Sequence, residues 1–425
     1  MEPTDRYLIV SSDCHAGASL YGYRDYLERK WLDEFDRWAA NFDDPWVDLE
    51  AKDADIKIAV ASQDSTFSWE SAKRNAALES DGIAAEVLFP NTSPPFFPSA
   101  TITAGNPTTH DEYEARFAGL QAHNRWMIDF CAELPGRRAG LAQIFFNDVD
   151  DAVTEIRRAA AGGLRGVLLP SDTSQVLVPY YYPRYDRIWE VCEELEMPIH
   201  RHANFVGDPV SPEFGYAGPA VATLEGNFFA HRSLGHLIVG GVFDRFPGLK
   251  YVTTETGSGW VVPYLKEVDA VYAAALQRGS ITDFFAGDAM RRLGKTPSEY
   301  YRSNCYVGAS LLMKPEVDLR HDIGIETMMW GSDLPHREGT YPYTLEALRA
   351  VFSDVPPEEV QTMLGTIAAD VYRLDIDLLR GVADRIGPTV AEVAKPLSPD
   401  EWPRTPEDTV HPGLFPLVVT GYGTD

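Results

Sequence analysis

Acidic and imidazole side chains stand at three widely separated places in this 425-residue chain, each next to a short apolar run. In chain order they are Asp13, His15, His200, His202, Asp333 and His336. Residues i and i+2 of a β-strand point to the same side, so Asp13 can project together with His15, and His200 with His202. Carboxylate oxygen and imidazole nitrogen are ligands for Zn, Mn and Fe(II). The sequence therefore predicts a divalent-cation site, provided that the fold brings the three places together.

The elements that would position these side chains are short apolar runs that alternate with helical stretches, a pattern typical of parallel β/α folds. The predicted strands lie at 7–11, 82–89, 138–146, 164–169, 198–202, 250–254, 305–307 and 327–330. Eight such strands close a (β/α)8 TIM barrel, in which the carboxyl ends of the strands converge on one pocket. We therefore predict an α/β protein with a TIM-barrel domain over 1–385 that carries inserted loops, followed by a Pro-rich, extended C-terminal tail over 386–425.

Composition excludes several classes of partner. The net charge of −27 argues against nucleic acid, because phosphate backbones are bound by clustered Lys and Arg. No run approaches the roughly 20 apolar residues that span a bilayer, and the first residues lack the apolar core of a secretory signal. Four widely spaced cysteines favour free thiols in a reducing compartment. We expect a cytoplasmic protein with a small-molecule partner and no membrane or nucleic-acid partner.

Four motifs together resemble the amidohydrolase-related family of metal-dependent hydrolases and decarboxylases, over about residues 7–375. They are Asp-x-His after the first strand, Pro-Ile-His-Arg-His-Ala-Asn at 198–204, Gly-Val-Phe-Asp-Arg-Phe-Pro-Gly-Leu-Lys at 241–250 and Gly-Ser-Asp-Leu-Pro-His at 331–336. The resemblance implies one divalent metal ion, zinc in the first place with manganese or iron as alternatives. Its implied ligands are Asp13, His15, His202 and Asp333. It also implies a homo-oligomer, a dimer or larger, with which the apolar end of the tail agrees.

One position departs from the family pattern. Family members often carry a histidine at the end of the sixth strand, where this chain has Glu255 in Thr254-Glu255-Thr256-Gly257. A carboxylate can bind a metal or transfer a proton, but it does not reproduce a neutral imidazole. The predicted catalytic residues are Asp333, Glu255, His200 and His336. Three of them could instead have a purely structural role. His200 could be a hydrogen-bonded strand histidine, Glu255 could anchor its loop, and His336 could order the loop after the eighth strand.

The resemblance supports two reactions, which the sequence leaves open. We rank first the hydrolysis of a small aromatic or cyclic substrate by metal-activated water, with Asp333 transferring the proton. The alternative is non-oxidative decarboxylation of an aromatic or muconate-like acid, and a further one is an inactive barrel that acts as a binding protein. Aromatic residues in the inserted loops could line a substrate site or pack beneath the loops, among them Phe96, Phe97, Phe228 and Phe229.

Overall fold

The computed structural model describes residues 1–42, 65–98, 104–171, 178–203, 231–310, 312–336 and 338–404. Within them, eight parallel strands pair in sequential order, which confirms the predicted TIM barrel. The strands are β1 Val10–Ala16, β2 Ala85–Pro90, β3 Arg138–Gln143, β4 Gly166–Leu168, β5 Ile199–His202, β6 Tyr251–Thr254, β7 Cys305–Ser310 and β8 Met328–Gly331. Each overlaps one of the eight predicted apolar runs, although β1 begins and ends later than its predicted run.

Helices connect the strands and cover the outside of the barrel. In chain order they are α1 Leu32–Ala39, α2 Ser71–Ser80, α3 His110–Ala132, α4 Val149–Ala161, α5 Asp186–Glu194, α6 over 231–239, α7 Val242–Arg245, α8 Val261–Leu276, α9 Ile281–Met290, α10 Pro297–Asn304, α11 Lys314–Asp318, α12 Arg320–Ile323, α13 Thr344–Phe352, α14 Pro357–Gln361, α15 Ile367–Val371, α16 Ile376–Ile386 and α17 Val390–Val393. A π-helical turn, Thr362–Thr366, joins α14 to α15. Among the described residues, no helix combines the length and apolar character that a membrane span requires.

Main-chain hydrogen bonds between β1 and the segment after β8 close the barrel. The Asp333 N–H donates to the Asp13 carbonyl at 2.9 Å, and the His15 N–H donates to the Leu334 carbonyl at 2.7 Å. The closing bonds therefore involve the predicted cation ligands themselves. The lower layers of the interior are apolar, with Leu8, Val10 and Met329 packed in one cluster with residues of α15.

A bulge in β1 decides which side chains face the interior. The pairing of β1 with β2 shifts register between Ser11 and Cys14, which places an extra residue in β1. Before the bulge, Leu8 and Val10 belong to the interior cluster; after it, Asp13 and His15 point into the barrel. Such an extra residue changes the parity of a strand. The Ser11 hydroxyl stabilises the bulge, since it donates to the Asp13 carbonyl at 2.8 Å and accepts from the Ser332 N–H at 2.8 Å.

The four cysteines are buried and free, as the sequence predicts. Residue 386, the first of the predicted tail, is the last residue of α16, and the division into a barrel domain and a tail stays a prediction. The described residues beyond it include α17 and a short 3-10 turn, Pro399–Glu401. Residues 405–425, which include the apolar end of the predicted tail, lie outside the described residues.

A buried arginine joins α2 to the closing segment. Arg74 donates from Nε and a terminal nitrogen to Glu86 on β2, at 2.9 and 2.6 Å from Oε2. Its other terminal nitrogen donates to the His15 carbonyl at 2.8 Å. Both side chains of the ion pair are almost completely buried. Arg74 thus fixes the end of β1 from behind.

We expect Arg74→Met to lower the free energy of unfolding by about 3–5 kcal/mol. The variant removes an ion-pair partner of the buried Glu86 carboxylate and leaves the His15 carbonyl without the hydrogen bond from Arg74. Urea denaturation followed by circular dichroism measures the change. The matched control is Arg24→Met, since Arg24 pairs with Asp36 at the surface and its loss should change the midpoint little. Similar effects of the two variants would contradict the positioning role of Arg74.

Candidate metal centre

Asp13 and His15 form the β1 side of a cluster at the carboxyl ends of the strands. His15 Nε2 lies 3.4 Å from Asp13 Oδ1, and both side chains are fully buried. The Ser310 hydroxyl on β7 donates to Asp13 Oδ2, which leaves Oδ1 directed at the cluster. His15 Nδ1 lies 3.4 Å from the Pro90 carbonyl. Because a carbonyl only accepts, this contact places the ring proton on Nδ1 and leaves the Nε2 lone pair for a cation.

His202 repeats this arrangement from the end of β5. Its Nδ1 lies 2.8 Å from the Ala203 carbonyl, so its Nε2 is again the free ligand atom. That atom lies 3.7 Å from Asp13 Oδ1 and 3.2 Å from Glu255 Oε2. Asp13, His15, His202 and Glu255 each offer one ligand atom within 4.8 Å of the others.

Asp333 and His336 approach the cluster from the loop after β8. Asp333 Oδ1 lies 3.2 Å from His15 Nε2 and 3.0 Å from His336 Nδ1. The His336 ring stacks on the His15 ring at a centroid distance of 4.0 Å, and its Nε2 lies 3.1 Å from Asn91 Oδ1. The loop after β8 therefore contributes both a carboxylate and an imidazole.

Two acids of the cluster have left-handed backbone conformations. Glu255 has φ +55° and Asp333 has φ +60°, values that cost residues other than glycine on the order of 1–3 kcal/mol. Main-chain bonds hold both: the Glu255 N–H donates to the Gly308 carbonyl at 3.1 Å, and the Asp333 N–H to Asp13. Backbone strain of this kind concentrates at functional sites, where the direction of a side chain matters more than a low-energy backbone conformation.

Glu316, in α11, fixes the loop that carries Glu255. Its Oε1 accepts from the Ser258 hydroxyl at 3.0 Å, from the Gly259 N–H at 3.1 Å, and from the Ser258 N–H. Its Oε2 accepts from the Met313 N–H at 2.9 Å. The carboxylate thereby satisfies backbone donors that precede α8 and holds the β6 loop against the β7 loop.

The electrostatics of the cluster fit a cation. Burial lowers the pKa of His15, but Asp13 and Asp333 outweigh this effect and raise the pKa to about 10. Burial raises the pKa of Asp13, but His15 and His202 outweigh it and hold the pKa well below its usual range. The carboxylates of Asp13 and Asp333 thus stabilise a positive charge at the position of His15. Asp13 Oδ1, His15 Nε2 and His202 Nε2 are buried and have no hydrogen-bond partner among the described residues, as expected of atoms placed to bind a metal.

The structure brings together the predicted Asp13, His15, His202, Asp333, Glu255 and His336. It adds Glu338, which can share a cation with Glu255 and Asp333. Glu338 is not among the residues predicted from the sequence, where its signal is a position two residues after His336 in the same loop. Burial, with Asp333 and Asp13 nearby, raises the pKa of Glu255 well above its usual range.

His200, the remaining predicted catalytic residue, lies deeper in the barrel. It faces the interior two residues before His202, and both of its ring nitrogens are occupied. Nδ1 lies 3.2 Å from the Val167 carbonyl, and Nε2 lies 2.9 Å from the Tyr372 hydroxyl. Burial lowers the pKa of His200 to about 3, so its ring is neutral. Its catalytic role stays a prediction, while its contacts link β5 to the floor of the barrel.

Phe89 of β2 forms an apolar wall beside the cluster. Its ring centroid lies 4.9 Å from that of His202 and 5.8 Å from that of His15. The aromatic residues singled out in the sequence pack elsewhere: Phe96 contacts Trp31, and Phe97 stacks on Phe145 at 5.8 Å. Phe228 and Phe229 lie outside the described residues.

Comparison with known proteins assigns the family. The amidohydrolase family model matches residues 13–374, almost the whole barrel. The chain belongs to the amidohydrolase family. In this family member the match begins at Asp13 of the cluster and extends past Asp333.

The relatives of this amidohydrolase-family chain carry related names. The gamma-resorcylate decarboxylase of Rhodococcus jostii (strain RHA1) is 28% identical over 227 residues, which cover 50% of this chain and 64% of that enzyme. The aligned region thus spans less than two thirds of the curated relative. The crystal structure of 5-carboxyvanillate decarboxylase from Sphingomonas paucimobilis is 19% identical with a TM-score of 0.61, covering 86% of this chain and 99% of that one. The 5-carboxyvanillate decarboxylase from Novosphingobium aromaticivorans with bound manganese is 20% identical with a TM-score of 0.56, covering 87% and 97%. The two structures show a shared fold.

We expect Asp13→Ala and His202→Ala each to reduce bound metal from about one ion per chain to a small fraction, because each removes a ligand atom from the centre of the cluster. Elemental analysis after loading with Mn²⁺ or Zn²⁺ and gel filtration measures the stoichiometry. The control is His110→Ala, which removes an exposed imidazole at the start of α3. Wild-type metal content in correctly folded Asp13→Ala and His202→Ala would refute the assignment.

Proposed function

We propose that this protein is a divalent-metal-dependent decarboxylase, a carboxy-lyase that acts on an aromatic carboxylic acid. The observation that carries the proposal is the cluster at one mouth of the barrel, in which Asp13, His15 and His202 lie together with Glu255 and Asp333 approaches to 3.2 Å from His15 Nε2. The Nε2 atom of each of the two histidines is free to bind a cation. The three compared enzymes supply the reaction, since each is named a decarboxylase of an aromatic acid. They support decarboxylation, the alternative predicted from the sequence, better than hydrolysis, the reaction predicted first.

We infer that Asp13, His15, His202 and Asp333 hold the metal, and that the metal is manganese. Carboxylates contribute half of this ligand set, and two more, Glu255 and Glu338, lie beside it, which suits a hard, oxygen-preferring ion better than zinc. The manganese in the Novosphingobium aromaticivorans structure agrees with this choice. A bound divalent ion would supply positive charge that attracts and orients the substrate carboxylate.

The chain's own residues would then orient the ring and deliver a proton. Phe89 offers an aromatic face next to His202, against which a substrate ring can pack. In decarboxylation the bond between the ring and the carboxyl carbon breaks, carbon dioxide leaves, and the ring carbon takes up a proton. His200, with both nitrogens bonded, would support the floor of the site without touching substrate.

Glu255 is the residue that we assign as proton donor. The side chains of Asp13 and Asp333 are completely buried in the cluster, whereas that of Glu255 is 27% exposed. It therefore faces the open side of the mouth, from which a substrate must enter. The product keeps that proton, so Glu255 would take up a new one from water at the mouth before the next turnover, with His336 and Asp333, which lie 3.0 Å apart, available to relay it.

We expect the Mn²⁺-loaded protein to release carbon dioxide and a phenol from at least one member of a panel of hydroxybenzoates. We expect Glu255→Gln to keep its metal and lower kcat at least about 100-fold, since loss of a positioned general acid costs about that much. Chromatography of the phenol, with elemental analysis of the same sample, measures both quantities.

The matched control is Glu114→Gln, because Glu114 is exposed on α3 and its loss should leave kcat unchanged. Amides, lactams and esters tested in parallel report on hydrolysis. Release of an amine or alcohol by the metal-loaded protein, with no carbon dioxide from any acid, would refute the decarboxylase proposal and restore hydrolysis.

A further inference from the structure

Gln143 is the last residue of β3 and faces the interior of the barrel. Leu141 and Ala139, two and four residues earlier on the same face, belong to the interior apolar cluster. The pairing of Leu88 with Gly140 brings Leu141 level with Phe89, whose ring packs on His202. Gln143 therefore stands one interior layer above the Phe89 wall, toward the open mouth. β6 and β8, which precede Glu255 and Asp333, lie three strands away in either direction.

The backbone of Gln143 is held rigidly by one side chain of α3. The Gln143 N–H donates to Asn124 Oδ1 at 2.9 Å, and Asn124 Nδ2 donates to the Gln143 carbonyl at 3.0 Å. Asn124 Nδ2 also donates to Glu155 Oε1 at 2.6 Å. The direction in which the Gln143 side chain leaves the strand is thus fixed before any ligand arrives.

The Gln143 side chain has no partner for its polar end. The residue is 2% exposed, yet neither Oε1 nor Nε2 makes a hydrogen bond among the described residues. The amide borders a narrow cleft whose other described lining side chains are all apolar: Phe97, Ala104, Ile144, Phe145, Leu168, Leu169 and Pro170. A buried amide left unpaired destabilises the protein, so an apolar side chain would suit this cleft better on grounds of stability alone.

We propose that Gln143 recognises a hydroxyl group on the substrate ring, at a position away from the carboxylate that the cation side of the mouth receives. An amide has both donors and an acceptor, and a hydroxyl both donates and accepts, so the two groups complement each other. Among the described side chains that line the cleft, only the Gln143 amide can form a hydrogen bond with a polar substituent of the substrate. The inference rests on the proposed function and narrows its substrate class to aromatic acids with a second, distal hydroxyl.

The test compares 2-hydroxybenzoate with the 2,3-, 2,4-, 2,5- and 2,6-dihydroxybenzoates on the full-length, Mn²⁺-loaded protein. Calorimetry gives Kd for each acid, and carbon dioxide release gives kcat/KM separately. We expect the 2,3-, 2,4- or 2,5-dihydroxybenzoate, whose second hydroxyl is not adjacent to the carboxylate, to bind the wild type at least about tenfold more tightly than 2-hydroxybenzoate and the 2,6-isomer, because a site built to bond a hydroxyl rejects the analogue that lacks it. Gln143→Met keeps the length of the side chain and removes the amide. This variant should bring the ratio of the Kd of 2-hydroxybenzoate to that of the preferred dihydroxybenzoate near one. It should leave the Kd of 2-hydroxybenzoate unchanged.

The matched control is Gln121→Met, which removes an amide from α3 that bonds Glu155 instead of facing the barrel mouth. It should keep the wild-type ratio. We also expect Gln143→Met to keep its Mn²⁺ and to melt at or above the wild-type Tm, since an unpaired amide is removed. A merely structural role for Gln143 would lower Tm and leave the ratio unchanged.

Three results would overturn the inference: no preference among the acids in the wild type, an unchanged preference in Gln143→Met, or a lowered Tm in that variant. Its failure is distinguishable from failure of the proposed function. If the protein releases carbon dioxide but Gln143→Met keeps the wild-type preference among the acids, only this inference is refuted. Binding that depends on Gln143 without carbon dioxide release refutes the decarboxylase and leaves the recognition role standing.

Discussion

The main-chain bonds that join β1 to the segment after β8 are the constraint on which the site depends. The bonds between Asp13 and Asp333, and between His15 and Leu334, join positions that are 319 or more residues apart in the chain. Each bond that closes the barrel also fixes a residue of the cluster. Barrel closure and the proposed cation site therefore depend on the same hydrogen bonds, and Arg74, bonded to Glu86 and to the His15 carbonyl, supports them from outside.

The local conformations of the ligands follow from this closure. Asp333 reaches the Asp13 carbonyl with φ +60°, a conformation that its own sequence does not favour. The bulge in β1 turns Asp13 and His15 inward, and the Ser11 hydroxyl that stabilises it accepts a bond from Ser332 beyond β8. Tertiary contacts thus impose the side-chain directions that bring the end of β1 and the loop after β8 together at the proposed cation site.

This dependence explains what the sequence could and could not predict. The eight strands were predictable because each is a local apolar run, and barrel topology then implied that Asp13, His202 and Asp333 converge. The β1 bulge was not, since it depends on Ser332, which lies 321 positions away. The pair His200 and His202 faces one side, as predicted, but strand periodicity does not say that only His202 reaches the mouth. Gln143 did leave a signal, a polar residue in phase with Ala139 and Leu141.

The lower layers of the barrel interior stabilise the fold, whereas the mouth contains groups whose burial destabilises it. Leu8, Val10 and Met329 fill the lower layers with apolar contacts and no polar atoms to satisfy. The mouth instead buries unpaired polar atoms of His202 and Gln143. Burial of such atoms persists in a native protein when something outside the chain completes their bonding. The unpaired imidazole nitrogen is the reason for proposing a cation at this point, and by the same reasoning the unpaired amide across the mouth is the reason for proposing that the substrate offers a polar group there.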